Sequence, residues 1–165
     1  MKHRLDKFRD WLLTGEIVCE PNYKFPEEIT WLHPAKIDIA KSLYTKEEDV
    51  NGWEYKVISA LVNLDNILFW HRNPQNTGYC INGFINHYPD FILKTKSGKY
   101  LIVEPKGDHL DNDDSKNKRL LGKELVSEAN KMAGETKYYY FMVFENKNVD
   151  GAFSLEECMS IVKKL

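Results

Sequence analysis

Asp90, Glu104 and Lys106 are the residues of this sequence whose types and spacing could do chemistry together. Ser97-Gly98 reads as a hairpin turn between the β-branched and aromatic runs HYPDFILK and KYLIVEP. With Ser97 at the centre, residues equally far from it along the chain face each other, which sets Asp90 opposite Glu104. Directly opposed Cβ atoms lie about 4.5–5.5 Å apart, and two carboxylates that close destabilise a sheet unless a cation compensates. Side chains alternate along a strand, so Glu104 and Lys106 emerge on one face and bring an ammonium to the same spot. A one-residue shift of register would undo the pairing. Opposed carboxylates suit Mg²⁺, with Mn²⁺ as a substitute, and such an ion can polarise a phosphate and activate water. Lys106 would orient or help deprotonate that water, or neutralise charge growing on the phosphate. Pro105 lacks an N–H, so the strand is expected to bulge or end there, leaving its carbonyl available as a metal ligand. Removing either carboxylate should relieve repulsion in the metal-free protein. The bland alternative is a solvated strand face carrying an exposed ion pair.

A frame for these residues is visible on both sides of the hairpin. Trp53, Val57, Ala60, Leu61 and Leu64 recur at helical spacing up to about Asn66. That helix starts either at Thr45, boxed with Glu48, or at Asn51 before Gly52. Residues 67–71 form a bulky apolar run closed by Asn73-Pro74, as in a strand, and residues 79–81 suit a minor strand. After the acidic loop at residues 111–114, Ser115 can cap a helix that carries Leu121, Leu125, Ala129 and Met132 on one face and stops at Gly134. Residues 138–144 read as a strand buried on both faces, and Ser154 opens a last helix through Leu155, Cys158, Ile161 and Val162. The core order is α-β-β-β-α-β. On the second helix Lys116, Arg119 and Lys123 fall at i, i+3 and i+7, a basic stripe that either meets a DNA backbone or is simply solvated. His71 and Arg72 either contact a phosphate or form a surface pair at a strand end. Asp108 reads as a loop acid, and His33, His87 and His109 show no metal-ligand spacing.

The chain has 165 residues, 42% of them hydrophobic and 13% aromatic, which suits one globular domain. Residues 45–165 are read as that domain. Residues 1–44 are read as an extension packed on it, with a short amphipathic helix at residues 4–13 and a stretch punctuated by Pro21, Pro26 and Pro34. No apolar run is long enough to span a bilayer, and the N-terminus lacks a signal-peptide core, so a soluble, cytoplasmic protein with no membrane partner is expected. Cys19, Cys80 and Cys158 are scattered and odd in number, which points to reduced thiols. A net charge of −2 excludes DNA binding by bulk electrostatics and requires a local basic strip.

Pro89-Asp90 and Glu104-Pro105-Lys106, set in an α-β-β-β-α-β order, resemble the PD-(D/E)xK nuclease superfamily. More narrowly, FWHRN at residues 69–73, YPDFI at 88–92 and VEPKGDHLDNDDSKNK at 103–118 are similar to the nuclease region of the restriction subunit of type III restriction enzymes and related helicase-linked nucleases. The resemblance covers roughly residues 45–145. It implies an α/β, restriction-endonuclease-like fold with a central mixed sheet flanked by helices. It also implies Mg²⁺-dependent hydrolysis of DNA phosphodiester bonds, leaving 5′-phosphate and 3′-hydroxyl ends, in restriction or phage defence. Asp90, Glu104 and the Pro105 carbonyl would be metal ligands, and Glu54 would be the first-helix acid that binds or orients the metal. Its other reading is a capping partner for Asn51. Implied partners are duplex DNA, a helicase or translocase domain or subunit, and a methyltransferase subunit. The sequence contains no GxxxxGK[ST] phosphate loop, so motor activity does not carry over, and the chain is either a solitary nuclease or a piece of a longer one. The rival readings are a DNA repair or junction-processing nuclease and a noncatalytic DNA-binding module with the same fold.

Overall fold

A computed structural model describes residues 6–8, 10, 11, 14, 24–31, 35–146 and 148–165. The elements in chain order are β1 (Ala35–Ile37), β2 (Glu47–Glu48), α1 (Gly52–Val62), β3 (Ile67–Arg72), β4 (Ile81–Asn82), β5 (Asn86–His87), β6 (Phe91–Thr95), β7 (Tyr100–Lys106), a 3-10 turn (Asp108–Leu110), α2 (Asp113–Ala133), β8 (Tyr138–Phe144) and α3 (Leu155–Val162). The protein is of mixed α/β class, with a four-stranded sheet in the order β3-β6-β7-β8. β3, β6 and β7 run antiparallel in turn, while β8 returns parallel to β7 after α2.

Strand alternation sorts the sheet into two faces. Phe91, Leu93, Leu101, Val103, Phe141 and Val143 point one way and pack under α1 and α3, whose contributions include Val57, Ile58, Leu61, Leu155, Cys158 and Val162. Ile102, Tyr140, Met142 and Phe144 point the other way, against Leu121 of α2 and Ile81 of β4. β8 is apolar on both faces for this reason. At Gly122 the α2 backbone comes so close to the sheet that an added Cβ would overlap the Tyr140 ring. No helix among the described residues is long and apolar enough to cross a membrane.

Three expected boundaries move. Thr45 and Glu48 do not cap a helix, because Glu47 and Glu48 pair with β1 as β2, and α1 begins after Asn51. Asn51 is the cap in a complete box with Glu54. Ser115 lies inside α2, where its N–H is capped by the Asn112 side chain. Met132 is 58% exposed, so the apolar face of α2 fades before the Gly134 C-cap. The position between residues 44 and 45 falls within the β1–β2 unit. Just before it, Trp70 donates its ring N–H to Ala40 and its backbone N–H to Lys41, and Ile39 joins the main core. The expected helix at residues 4–13 lies partly outside the described residues; 6–8, 10 and 11 are helical, and Phe8 packs against the α2 side of the sheet. Cys19, Pro21, Pro34 and His33 lie outside them altogether. Cys80 and Cys158 carry unbridged thiols, and burial pushes that of Cys158 up to about 12.

Candidate active site

The hairpin register is the expected one. Phe91 faces Val103, Ile92 faces Ile102, Leu93 faces Leu101 and Lys94 faces Tyr100. One position further out, beyond the last paired residues, stand Asp90 and Glu104, and the Asp90 N–H donates to Glu104 Oε2 at 3.1 Å. Glu104 is only 2% exposed, and its Oε1 takes the Lys106 ammonium at 2.6 Å. An acid, its opposed acid and a lysine therefore meet at one end of β7. The strand neither bulges nor stops at Pro105, which corrects that expectation. Pairing with β6 ends at Val103, while pairing with β8 continues in register through Pro105 to Lys106. The imide nitrogen thus sits where β7 no longer has a β6 neighbour.

Asn73 fixes the Asp90 segment. Its backbone N–H donates to the Asp90 carbonyl at 2.8 Å, and its buried amide donates to the carbonyls of Pro89 and Tyr79 while accepting from Tyr79 N–H. In the sequence Asn73 marks only the end of a strand.

The charges at this end of the sheet constrain one another. Burial, then Glu104, then Glu54 push the Asp90 carboxyl well above the usual carboxylate range, against the pull of Lys106 and Arg72. Burial works against the Lys106 charge, but Glu104, the bond to it, Asp90 and Asp114 outweigh that and hold the ammonium above its ordinary range. In the metal-free chain Lys106 is consequently held as an ammonium at neutral pH.

Glu54 takes the capping role expected of it. It completes the Asn51 box, and its Oε2 binds Arg72 Nη1 at 2.9 Å while its charge reaches Asp90. Arg72 also lies 3.8 Å from Glu48. His71 is not a strand-end surface residue. It is fully buried between Phe25 and Tyr44, and burial lowers its pKa to about 4, so a phosphate cannot reach it in this arrangement. Asp108 is a structural loop acid, accepting from the backbone and side chain of Asn146. On α2, Lys116 is exposed and pairs with Asp113 at 3.5 Å, whereas Arg119 and Lys123 turn toward Gly151.

Three participants were not legible in the sequence. His87 is buried beside Tyr140, with Nε2 2.9 Å from its hydroxyl, and burial lowers the imidazole to about 4 while Glu104, Lys118, Lys106 and Asp114 act on it. Tyr140 is itself pushed well above the usual phenol range by burial and by Glu104 and Asp90. Both follow an alternating apolar pattern that gives no sign of polar pairing. Glu47, the third, is wholly buried and joins β2 to the end of β3. Its Oε2 accepts from Arg72 N–H at 3.2 Å, and its Oε1 lies 2.8 Å from Ser42 Oγ.

Ser42 has one hydroxyl proton, and its oxygen is also 2.7 Å from the Tyr44 carbonyl. Both contacts are satisfied when Glu47 is protonated and donates to Ser42, which in turn donates to Tyr44. Burial, opposed by the Ser42 bond, pushes Glu47 up from 4.5 to about 7. Between those values the folded chain holds a proton that the unfolded chain releases, so stability falls as pH rises through that window, and the loss is complete above it. Glu47→Gln reproduces the protonated pattern without the charge. The variant and the parent should be about equally stable near pH 4, with the variant ahead by about 3 kcal/mol above pH 7. Denaturant melts across that range check it, and a gap independent of pH would assign Glu47 an ordinary ionised role.

Among the described residues no three His, Cys, Asp or Glu side chains gather as a ready-made metal cluster. The side-chain donors at the site are the two carboxylates of Asp90 and Glu104, since Glu54 is engaged by Asn51 and Arg72. Magnesium commonly takes one or two protein carboxylates and keeps its remaining ligands as water or phosphate oxygen, so this donor set fits it. Comparison with protein-family models, curated proteins and solved structures finds no match to the chain.

Proposed function

We propose that this chain is a Mg²⁺-dependent deoxyribonuclease of the PD-(D/E)xK type, with a restriction-endonuclease-like core. The observation that carries the reading is the opposed Asp90–Glu104 pair with Lys106 bound to Glu104 at 2.6 Å. The order α1-β3-β6-β7-α2-β8 supports it, as do the Pro89-Asp90 and Glu104-Pro105-Lys106 motifs. Asp90 and Glu104 would hold the ion, with Pro105 offering a carbonyl and Glu54 helping to orient the site through Arg72. When bound, such an ion polarises the scissile phosphate and lowers the pKa of an attached water. Lys106, as an ammonium, places positive charge where the phosphate gains negative charge. Asn73 keeps the Asp90 backbone in place, and the buried His87–Tyr140 pair lies within electrostatic reach of Glu104. A place in restriction or phage defence beside a translocase, with or without a methyltransferase, belongs to the same proposal.

The test is hydrolysis of duplex and single-stranded DNA by the purified chain with Mg²⁺ or Mn²⁺. Asp90→Asn and Glu104→Gln should each abolish it, and chelator should abolish it in the parent. Metal-independent cleavage, or cleavage that survives both substitutions, would sink the reading. A chain that binds DNA but never cleaves it would instead be a binding module.

The isolated chain should hold duplex DNA weakly. With about three phosphate contacts, affinity should fall only about 40-fold between about 50 and 200 mM salt and remain in the nonspecific range of about 10⁻⁴–10⁻⁶ M. Anisotropy titrations with Ca²⁺ and several unrelated duplexes measure this. Nanomolar, sequence-selective binding would remove the need for a delivering partner.

A further inference from the structure

Arg119 and Lys123 stand one turn apart on α2 and converge on Gly151, in the loop that leads from β8 to α3. Gly151 has φ 72, the left-handed region, within the turn that brings Phe153 back onto Val143. A Cβ added there would also run into Lys123 Nζ, and Arg119 Nε lies 3.7 Å from the same point. The positive φ therefore favours glycine at the turn, and its missing side chain leaves the space into which the two cations extend.

Their neighbours on α2 are neutralised: Lys116 pairs with Asp113, Lys118 with Asp114 at 2.8 Å, and Lys131 with Glu128. Among the described residues neither Arg119 nor Lys123 has an ion-pair or hydrogen-bond partner, and Asp150, next to Gly151, does not supply one. Arg119 Nη1 is shut off from solvent without an acceptor. Two like charges held within 4 Å of one point repel each other, and a buried N–H of a charged group without an acceptor is costly. An anion between them resolves both problems. A planar guanidinium fork beside a mobile ammonium is the donor set that proteins use for phosphate oxygens.

We infer that Arg119, Lys123 and Gly151 form a cradle for a phosphate group. The buried Tyr140 hydroxyl feels Arg119 as well as Glu104 and Asp90, so the cradle and the carboxylate pair flank the same side chain. The inference concerns binding alone and stands or falls without the nuclease reading.

The full chain is titrated in chelator with inorganic phosphate and pyrophosphate, followed by thermal shift and NMR, and with a short labelled oligonucleotide, followed by anisotropy. Lys123→Gln and Arg119→Lys should each weaken phosphate binding about tenfold, and the pair together more than either alone but by other than the product, because both touch one anion. Lys131→Gln, on the same helix but outside the basic stripe and paired with Glu128, should leave it unchanged. These substitutions keep the exposed Lys123 site polar and the half-buried Arg119 site charged, and circular dichroism verifies the fold. If oligonucleotide affinity falls in parallel and the double variant's salt slope drops by about one contact, about 0.9, for the lost Lys123 charge, the phosphate belongs to a nucleic-acid strand. If only the inorganic anions respond, it belongs to a small phosphorylated molecule. Absence of phosphate binding by the parent, or unchanged binding by the folded double variant, overturns the cradle.

Discussion

Lys106→Ala is expected to lower DNA hydrolysis by about 10²–10³-fold, the range found when one group that stabilises developing transition-state charge is lost. Lys116→Ala should lower only binding, by a factor that added salt erases. The two lysines differ in setting. Lys106 has a side chain 12% exposed, is bound to Glu104 at 2.6 Å, and feels Asp90 and Asp114 as well. Lys116 has a side chain 55% exposed and only a loose i,i+3 pair with Asp113. In the metal-free chain the surrounding carboxylates hold the Lys106 ammonium above its ordinary range. Lys106→Arg should recover part of the rate by keeping the charge. The measurements are kcat and KM for the parent and the three variants at two salt concentrations. Equal, salt-suppressible defects at positions 106 and 116 would reduce Lys106 to one more backbone contact.

The chemistry-bearing hairpin was legible because its geometry is local. A Ser97-Gly98 turn between alternating strands fixes which residues oppose one another, and the observed pairs from Phe91–Val103 to Lys94–Tyr100 follow from the turn alone. The Asn51–Glu54 box was legible for the same reason, although Thr45–Glu48 offered an equally good local match. What decides between them is not local: β1 takes Glu47 and Glu48 into a ladder, leaving Asn51 as the first usable cap. Asn112 against Ser115 is a similar case, since either can cap and a shift of three residues changes little in the pattern.

Long-range burial is where sequence reading failed. His71 follows a strand run and precedes an arginine, which suggests an exposed end, yet Phe25 and Tyr44 close over it from the segment before α1. Nothing in the sequence marks Glu47 as buried, and only the fold reveals that Ser42 and the Arg72 backbone enclose it. Spacing on α2 correctly aligned Arg119 with Lys123. It could not reveal that both meet Gly151, because that contact depends on how the β8–α3 loop returns. Local periodicity thus specifies what a side chain can reach along its own element, and the neighbour that decides its role comes from elsewhere in the chain.

In chelator, Glu104→Ala is expected to lose about 3–5 kcal/mol of stability, while Asp90→Asn should be as stable as the parent or more so. Repulsion between opposed acids, considered alone, predicts that removing either one helps. The structure divides the two roles. Glu104, 2% exposed, is the acceptor for both the Lys106 ammonium and the Asp90 N–H. Its loss leaves a largely buried cation and a backbone donor without their partner, the situation in which breaking an ion pair is most costly. Asp90 can take over part of the Lys106 charge, which favours the lower end of that range. Asp90 itself is pushed upward first by burial, then by Glu104 and Glu54, so its negative charge is a burden on the metal-free fold. Asparagine removes that charge while preserving size and leaving the backbone N–H bond to Glu104 possible. For a chain of this size, about 3–5 kcal/mol corresponds to roughly 6–20 °C in Tm, well within reach of a calorimetric comparison. If Glu104→Ala melts with the parent in chelator, the Glu104–Lys106 pair contributes no net stability. If Asp90→Asn melts far below it, Asp90 is a structural residue and its place as a metal ligand is lost.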